Sequence, residues 1–442
     1  MNILFIAIDT LAAGHMSCYG YRRKTSPNLD RFANESILFL NAFASDIPTQ
    51  PAYTTMFTGL RGIRHTIVSH DGRNVLDPAI PVLQEILRSN GYLTCAVDNL
   101  VDMKPWFIRG YSQYFNPGGL QFATAQRINS IAIPWLEQNY RNKFFLFLHY
   151  WDPHTPYIPH EKYNYYTGKK NDPGNKSLER FKKQMVYPFF ARWFEDLGDV
   201  TDAEYIVALY DGEISYVDEK LQEIFDIIEK LDILDDTLII ITSDHGESMT
   251  EHEIYFDHHG LYETTTHIPL IIKPQGRFKP RKIKEMVQHI DLMPTILELA
   301  GIKMHSKLDG RSLVPLLKGE GKGCKEVYMN ECLYQAKIAI RTEDWKFIIA
   351  IDKGVHPEAP DRELYNLKDD PEEKINLFEK ERDVVDNLEL KLLRWRAAQL
   401  GNKPDPVRVE AGLGLPALAW VDRALKSMNL RREDWIAKQK YI

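Results

Sequence analysis

The sequence predicts an α/β protein: a large, mostly parallel β-sheet sandwiched by helices, followed by a smaller antiparallel subdomain. Over the first 300 residues, short apolar runs alternate with helical patterns, which is typical of parallel sheets covered on both faces. The composition is ordinary for a globular protein, with 44% hydrophobic and 26% charged residues. A chain of 442 residues is long enough for one large domain and a smaller one.

The strands of the first domain are apolar throughout, whereas its helices are longer segments with helical periodicity. The clearest strands are predicted at 2–8, 143–149, 237–242 and 269–273, and the clearest helices at 80–90, 202–230 and 290–300. In a parallel sheet of this kind, the active site lies beyond the carboxyl ends of the strands. The residues that follow each strand are therefore the first candidates for function.

The C-terminal part of the chain changes to short strands, which indicate an antiparallel subdomain. They are predicted at 326–331, 337–341 and 346–351, and a helix follows at 376–399. The predicted organisation is thus a catalytic domain at 1–325, a subdomain at 326–402 and a tail at 403–442. The tail carries Trp420 and Trp435, and we expect it to pack on the body or on a second subunit of a homo-oligomer.

One segment of the first domain, 156–200, is rich in Tyr and Phe and shows little periodicity. A long segment of this kind is either a lid or wall of the substrate pocket, or a surface excursion with a small core of its own. The sequence leaves both interpretations open.

Net charge and cysteine content exclude several classes of partner. The chain has 55 Lys and Arg against 62 Asp and Glu, so its formal net charge of −7 offers no basic surplus for nucleic acid or an anionic membrane. The four cysteines are scattered and suit a reducing compartment better than a disulfide framework. The apolar run Ile3–Ile8 is too short to span a bilayer and has no basic region before it. We therefore expect a cytoplasmic protein.

Three of the predicted strands are followed directly by carboxylates or imidazoles. Asp9 and Thr10 follow the first strand, the sequence Asp-Pro-His at 152–154 follows the second, and Asp244 and His245 follow the third. One Asp at such a place is commonly only a cap of a helix or turn. Three such endings at one edge of a sheet favour a catalytic or metal site.

Several segments of the sequence together resemble the sulfatases and related hydrolases of the alkaline phosphatase superfamily. In chain order they are NILFIAIDTLAAGHMSCYGYRRKTSPNLDRFANESILFLNAFAS, LHYWDPHTPY, YDGEISYVD, LIIITSDHGE, GLYETTTHIPLIIK, HIDLMPTILELAGI and ELYNLKDDPEEKINL. The resemblance implies a large α/β domain with a metal site at the strand ends and a small four-stranded C-terminal subdomain. This agrees with the fold that the sequence pattern predicts.

The main departure from the sulfatases is at the nucleophile. Sulfatases carry a Cys or Ser, converted to formylglycine, in a C/S-x-P-x-R signature, whereas this chain has Thr49 there and Tyr53 in place of the arginine. Threonine cannot be oxidised to that aldehyde, and a threonine sulfate cannot expel sulfate by collapse of a second hydroxyl. A threonine phosphate can be hydrolysed by in-line attack of water at phosphorus, so Thr49 favours phosphoryl transfer. It resembles the threonine nucleophile of nucleotide pyrophosphatase/phosphodiesterases and of lipoteichoic acid synthase.

The resemblance also implies one divalent cation, held by Asp9, Thr49, Asp244 and His245. Sulfatases usually have a second Asp at the position of Thr10 and often an Asn at that of His245. Exchange of a carboxylate for an imidazole favours Mn²⁺ or Zn²⁺ over Ca²⁺. Taken alone, the Asp-His pair at 244–245 is also compatible with a capped turn and a hydrogen-bonded histidine, but its place at a strand end favours the metal.

Two histidines are candidates for binding the transferring group and assisting the leaving group. The resemblance places His154 on a family histidine that contacts the anionic group, and His258 where sulfatases have an anion-binding lysine. An imidazole can serve as acid or base near neutral pH, and His259 is the alternative to His258. His258 and His259 could instead form a second metal site with Asp152, although Pro156 interrupts the usual spacing of that site.

Two further residues are expected near the substrate. The sulfate-binding Lys and His of the family fall at Asn99 and Val101, so that cationic pair is missing. We expect Asn99 to donate a hydrogen bond to a substrate oxygen. Tyr53 is expected to orient the turn that carries Thr49, or to line the pocket.

Together these residues predict a metal-dependent hydrolase of phosphate diesters or phosphonate monoesters that works through a covalent phosphothreonine. Its expected partner is a small-molecule anionic ester. The alternatives are hydrolysis of sulfuric esters, transfer of a phospho-alcohol head group as in lipoteichoic acid synthase, and a degenerate binding protein. The sequence offers no membrane anchor, which disfavours the transferase, and its complete ligand set disfavours the binding protein.

Overall fold

The computed structural model describes residues 1–119, 123–172, 174, 176–303 and 307–439. Its strands are β1 (Asn2–Ile8), β2 (Ile37–Phe43), β3 (Asp46–Ile47), β4 (Leu93–Val97), β5 (Gln113–Phe115), β6 (Phe144–Tyr150), β7 (Thr237–Thr242), β8 (His267–Lys273), β9 (Arg281–Gln288), β10 (Val327–Cys332), β11 (Ala336–Arg341), β12 (Trp345–Asp352) and β13 (Arg362–Asn366).

The helices within the same ranges vary from single turns to 28 residues. They are α1 (Pro27–Asn34), α2 (Thr49–Thr58), α3 (Gly62–His65), α4 (Leu83–Ser89), α5 (Leu100–Met103), α6 (Ala125–Asn139), α7 (Glu179–Lys183), α8 (Tyr187–Leu197), α9 (Ala203–Lys230), α10 (Glu263–Thr266), α11 (Leu292–Leu299), α12 (Val314–Leu317), α13 (Arg382–Leu400), α14 (Pro406–Gly412), α15 (Leu418–Ser427) and α16 (Arg432–Gln439). None of the helices in the described ranges has both the length and the apolar character needed to cross a membrane.

The first sheet has eight strands in the order β5-β4-β6-β1-β7-β8-β2-β9, and β8 is its one antiparallel member. Its central strand β1 pairs in parallel with β6 on one side and with β7 on the other. The carboxyl ends of these three strands therefore meet at the same edge. All 20 residues of β1, β6 and β7 are buried, which explains why their sequences are mostly apolar and do not alternate with polar residues.

Helices cover both faces of this sheet, as predicted, because alternate side chains of β1 point into two different cores. Phe5 packs on one face with Phe57 of α2, and Ile6 packs on the other face in the cluster that holds α1, α6 and α9. Local signals place two of these helices: Thr124 caps α6 by accepting a hydrogen bond from the Arg127 amide, and the Asp202 side chain caps α9.

The second sheet is ordered β13-β12-β11-β10-β3, and its four C-terminal strands are antiparallel as predicted. The fifth strand, β3, comes from outside the predicted subdomain 326–402 and pairs in parallel with β10. A strand of two residues is too short to give a sequence pattern. Because β3 ends one residue before Pro48 and α2, the second sheet holds the segment that leads directly into the candidate nucleophile.

The helix predicted at 376–399 begins later than expected, at Arg382. The Asn376 side chain accepts a hydrogen bond from the Leu364 amide, and the Leu377 amide donates to the Leu364 carbonyl. The segment before α13 is therefore held against β13 in an extended form.

The aromatic segment 156–200 and the tail both pack on the body of the chain within the described residues. Phe190 of α8 belongs to the core beneath α9, and Val421 of α15 joins the same core. Val407 of α14 packs in the core of the second sheet with Ile338. Of the two expectations for the tail, packing on the body is the one that the structure supports.

Candidate metal and catalytic centre

Asp9 lies directly after the central strand and is completely buried. Its amide donates to the Tyr150 carbonyl at 2.8 Å, which extends the pairing of β1 with β6 by one residue. Its Oδ2 atom accepts a hydrogen bond from Nε2 of His149, 3.1 Å away on the neighbouring strand. Oδ1 makes no hydrogen bond to any described residue. One carboxylate oxygen of Asp9 is thus held in place and the other is available.

Asp244 and His245 follow β7 and face Asp9. The Asp244 Oδ1 atom accepts hydrogen bonds from the amides of Thr10, at 3.2 Å, and His245, at 2.9 Å. Thr10 has a left-handed backbone conformation (φ 54°), which is unusual for a β-branched residue and typical of strained functional turns. The turn after β1 and the turn after β7 are therefore fixed to each other.

The ring orientation of His245 presents Nε2 to the centre. Nδ1 lies 3.0 Å from the Gly246 carbonyl and donates to it when the imidazole is neutral, which leaves the lone pair on Nε2. Nε2 lies 3.2 Å from Asp244 Oδ2. Gly246 is required for this approach, because a Cβ atom there would stand 2.1 Å from the Thr264 carbonyl oxygen.

Thr49 is the first residue of α2 and is 1% exposed. Its Oγ1 atom lies 3.2 Å from Nε2 of His245. The hydroxyl is therefore at the amino end of a ten-residue helix, where backbone amides and the helix dipole favour a negatively charged group. The structure brings together all four residues that the sequence proposed as metal ligands: Asp9, Thr49, Asp244 and His245.

The chemistry of these residues fits a divalent cation. One ligand atom each from Asp9, Asp244 and His245 lies within 4.8 Å of the other two, and this is the one such cluster found among the described residues. Asp9 Oδ1 and Asp244 Oδ2 are buried without a hydrogen bond to the described part of the chain. Two buried, unsatisfied carboxylate oxygens that face each other require a compensating positive charge.

The electrostatics of the cluster favour a positive charge beside its carboxylates. Burial raises the pKa of Asp9 well above its usual range, and the charge of Asp244 raises it further. Burial also raises the pKa of Asp244, but the neighbouring His245 outweighs burial and lowers it. Burial disfavours a charged His245, yet Asp244 raises the pKa of this imidazole to about 9. In the protein by itself, the proton on His245 is the charge that offsets Asp244.

His154 and His258 lie next to this cluster on the cavity side. The His258 ring stacks on His245 with ring centres 4.5 Å apart, and His154 is 5.4 Å from His258. Nδ1 of His154 is 2.6 Å from the Thr155 carbonyl, so its Nε2 faces outward. Burial lowers the pKa of His154, and burial together with the charge of His245 lowers the pKa of His258. Both imidazoles are therefore neutral at neutral pH.

The other predicted substrate contacts are placed less directly. Asn99 lines the cavity, but its amide donates to the Gly118 carbonyl at 2.8 Å and accepts from Trp151 Nε1 at 2.5 Å. His259 is turned away: its Nε2 lies 2.7 Å from Nε2 of His356, and it is 1% exposed. The Asn99 amide has a second N–H, so its contact with the substrate stays a prediction. The hydrogen bonding of His259 does not support it in place of His258.

Tyr53 is completely buried. Its ring packs edge-on against His149, with ring centres 4.9 Å apart. It therefore supports the histidine that holds Asp9. Asp152 belongs to no cluster of potential metal ligands in the described part of the chain, and its Oδ2 atom accepts from the Ala125 amide at 2.8 Å.

Sequence reasoning missed two residues of the centre. His149 lies within a buried apolar strand, where an imidazole is read as part of the core, but its pairing with β1 opposite Ala7 places it beside Asp9. Glu247 is 1% exposed, both of its carboxylate oxygens lack a hydrogen bond to the described residues, and Oε2 lies 3.7 Å from Nδ1 of His258. Its position two residues after His245 was the available signal.

A cavity of about 410 Å³ opens beside the two histidines. His154 and His258 form its floor, and aromatic side chains form much of its wall. The cavity thus gives an ester access to the imidazoles that adjoin the metal cluster.

Comparison with known proteins gives the family. Residues 1–302 match the model of the sulfatase family, and residues 250–398 match the C-terminal domain described for N-sulphoglucosamine sulphohydrolase. The chain is 25% identical to an N-acetylglucosamine-6-O-sulfatase of Bacteroides thetaiotaomicron, across 93% of this chain and 88% of that protein.

Two solved structures share the fold. One is a protein in complex with its substrate D-glucosamine-2-N,6-O-disulfate, with a TM-score of 0.74 and 22% identity over 91% of this chain and 99% of the other. The second is the phosphonate monoester hydrolase of Agrobacterium radiobacter, with a TM-score of 0.70 and 22% identity over 90% of this chain and 96% of the other. The chain belongs to the sulfatase family of hydrolases, within the alkaline phosphatase superfamily.

Proposed function

We propose that this protein is a metal-dependent hydrolase of sulfuric esters of small molecules, with Thr49 as the nucleophile. The observation that carries the proposal is the buried cluster of Asp9, Asp244 and His245 against the Thr49 hydroxyl, in a chain of the sulfatase family. The curated relative that is named as an N-acetylglucosamine-6-O-sulfatase supports the sulfuric ester as the substrate class. The expectation of phosphoester hydrolysis has less support from the comparisons.

Each group has a proposed task. A divalent cation held by Asp9, Asp244, His245 and Thr49 supplies positive charge that favours the ionised hydroxyl and the anionic ester. Thr49 Oγ1 attacks the central atom of the ester group as the bond from that atom to the leaving oxygen breaks, and the amino end of α2 stabilises the negative oxygens. Water then attacks the same central atom, which releases the anion and restores the Thr49 hydroxyl. The neutral imidazoles of His154 and His258 take up the proton that the Thr49 hydroxyl loses and deliver it to the leaving oxygen. Two carboxylates with one imidazole suit Mn²⁺ or Zn²⁺ better than Ca²⁺, so we expect one of these two ions.

A second candidate function is hydrolysis of phosphonate monoesters or phosphate diesters, and the identity of residue 49 favours it. A threonine sulfate has no second hydroxyl through which to expel sulfate, whereas a threonine phosphate is open to in-line attack by water. The position where sulfatases have a sulfate-binding lysine holds the uncharged Asn99, which bonds Gly118 and Trp151. These two features favour hydrolysis of phosphorus esters, whereas the comparison with known proteins favours hydrolysis of sulfuric esters.

A direct rate comparison separates the two candidates. The 4-nitrophenyl esters of sulfate, phosphate and phenylphosphonate, and bis(4-nitrophenyl) phosphate, would be assayed with Mn²⁺, Zn²⁺ and Ca²⁺. A highest kcat/KM for the sulfate supports the first candidate, and a highest value for the phosphonate or the diester supports the second. Absence of turnover with every ester and every ion would contradict both.

The Thr49→Ala variant tests the nucleophile within the same assay. We expect kcat to fall by about three orders of magnitude or more, because attack at the central atom requires the hydroxyl. Thr58→Ala is the matched control: it removes a buried hydroxyl from the last turn of the same helix, where Oγ1 donates to the Thr54 carbonyl. Equal rates for the two variants would exclude Thr49 as the nucleophile.

A further inference from the structure

The cavity beside the catalytic histidines has a wall of aromatic side chains from distant parts of the chain. Trp151 follows β6, Phe189 and Phe190 lie on α8, Tyr334 follows β10, and Trp420 lies on α15 of the tail. Phe189 is 46% exposed, which is unusual for a phenylalanine that packs on its own fold. A cavity with walls of this kind favours a flat, apolar ligand.

Trp420 is held in this wall by several contacts. Its Nε1 atom donates to Asp71 Oδ2 at 3.2 Å, so the polar edge of the indole is directed away from a ligand. The rings of His70 and Tyr334 pack edge-on against it, with ring centres 5.3 Å and 6.0 Å away, and Phe189 lies nearly parallel to it at 6.0 Å. These contacts hold the indole without using all of its surface, because the residue is only half-buried.

Two of the polar side chains that line the cavity are bonded to protein atoms. The Asn99 amide is bonded to Gly118 and Trp151, and the Asp102 carboxylate accepts two hydrogen bonds from the Asn116 side chain. A sugar ring carries hydroxyls on every side, and each needs a partner when it is buried. An aromatic group has no such requirement and gains from contact with the indole face.

We propose that this aromatic cavity binds the leaving group of the ester, that the leaving group is aromatic, and that Trp420 is its main contact. The role of this ligand as the leaving group rests on the proposed function, whereas the preference of the cavity for an aromatic ligand can be tested without turnover. It assigns a specificity residue to the C-terminal tail. The volume of about 410 Å³ accommodates a fused two-ring group.

The test compares two alcohols of the same size and connectivity, 2-naphthol and decahydro-2-naphthol. Binding of each to the full chain would be measured by titration calorimetry. We expect 2-naphthol to bind about tenfold more tightly, and Trp420→Leu to remove most of that difference because leucine fills space without an aromatic face. Trp420→Phe, which keeps a ring, should stay within about threefold of the unaltered chain.

The control is Trp395→Leu. Trp395 is also half-buried and stacks on Tyr328 at 4.2 Å, but it lines a different cavity, so 2-naphthol binding should not change. Equal binding of the two alcohols, no binding of either, or equal losses for the Trp395 and Trp420 variants would overturn the proposal. Binding as expected in a protein that turns over no ester would refute the proposed function alone. If the protein turns over an ester but Trp420→Leu leaves 2-naphthol binding unchanged, only the proposal of the aromatic cavity is refuted.

Discussion

Nε2 of His149 lies 3.1 Å from Oδ2 of Asp9, and both side chains are completely buried at the ends of neighbouring strands. Burial lowers the pKa of His149 to about 4, so the ring is neutral at neutral pH and donates its Nε2 proton to the carboxylate. The donation fixes Asp9 with its other oxygen directed to the metal cluster. In metal sites, hydrogen bonds from outside the ligand set orient the ligands in this way.

Replacement of His149 by alanine should weaken metal binding about 10- to 100-fold, because Asp9 loses its orientation while every proposed ligand remains. His149→Gln, which keeps a donor, should recover part of the affinity. Calorimetric titration with Mn²⁺ or Zn²⁺ measures the metal affinity of each variant. His267→Ala is the control, since that imidazole also lies on a strand of the large sheet but bonds the Leu40 carbonyl. Similar metal affinities for the two alanine variants would argue against the role of His149.

Gly246 should tolerate no side chain. A Cβ atom there would meet the Thr264 carbonyl oxygen at 2.1 Å, and the only relief is movement of the turn that carries His245. We expect Gly246→Ala to lower the free energy of unfolding by about 1–3 kcal/mol and to abolish metal binding. Gly14→Ala is the control, because a Cβ atom at that position would have no heavy atom within 4 Å. Chemical unfolding and metal titration of the two variants would show the difference.

The metal ligands were predictable because of where strands end. Asp9 and Asp244 follow two adjacent parallel strands. Because the carboxyl ends of such strands lie at the same edge of the sheet, the pairing of these two strands is enough to bring the carboxylates close together. His149 was not predictable by the same argument, since it lies inside an apolar strand and only its register with β1 places it beside Asp9. Trp420 reaches the cavity through packing of the tail on α8, which depends on the complete fold and leaves no local signal in the sequence.

Stability should fall in mild acid because several histidines are buried in neutral form. Burial lowers the pKa of His65 to about 3, and its ring accepts from the Ile67 amide through Nδ1 and bonds Thr55 Oγ1 through Nε2. The unfolded chain takes up a proton on this histidine below about pH 6.5, whereas the folded chain does not. The stability that His65 contributes is therefore present above pH 6.5 and is lost as the pH falls towards 3.

Urea unfolding between pH 6.5 and 4 measures this loss. Each such histidine should add at most about 1.4 kcal/mol per pH unit to the slope of the free energy of unfolding against pH. His65→Gln should therefore give a shallower slope, as well as a lower free energy of unfolding at pH 7. His160→Gln is the comparison, because the Glu213 carboxylate raises the pKa of that histidine despite partial burial. Its removal should not make the slope shallower in this range. Parallel curves for the unaltered chain and His65→Gln would contradict the assignment.

Arg396 connects α13 to the segment that carries the nucleophile. It is 3% exposed, forms a two-pronged ion pair with Asp405, and donates from Nη1 to Asn330 Oδ1 at 2.7 Å. The Asn330 amide in turn donates to Asp46 of β3, three residues before Thr49. The guanidinium thus satisfies Asp405 and Asn330 directly and reaches β3 through Asn330.

Removal of Arg396 should therefore act on both stability and the active site. We expect Arg396→Ala to lower the free energy of unfolding by about 3–5 kcal/mol, because it leaves Asp405 without its partner in a mostly buried position. The loosened β3 should also reduce kcat more than it raises KM, since Thr49 loses its fixed position while the cavity is unchanged. Arg394→Ala, on the exposed side of the same helix, is the control and should alter neither quantity. A stability loss without any change in kcat would show that the second sheet supports the fold but does not position the nucleophile.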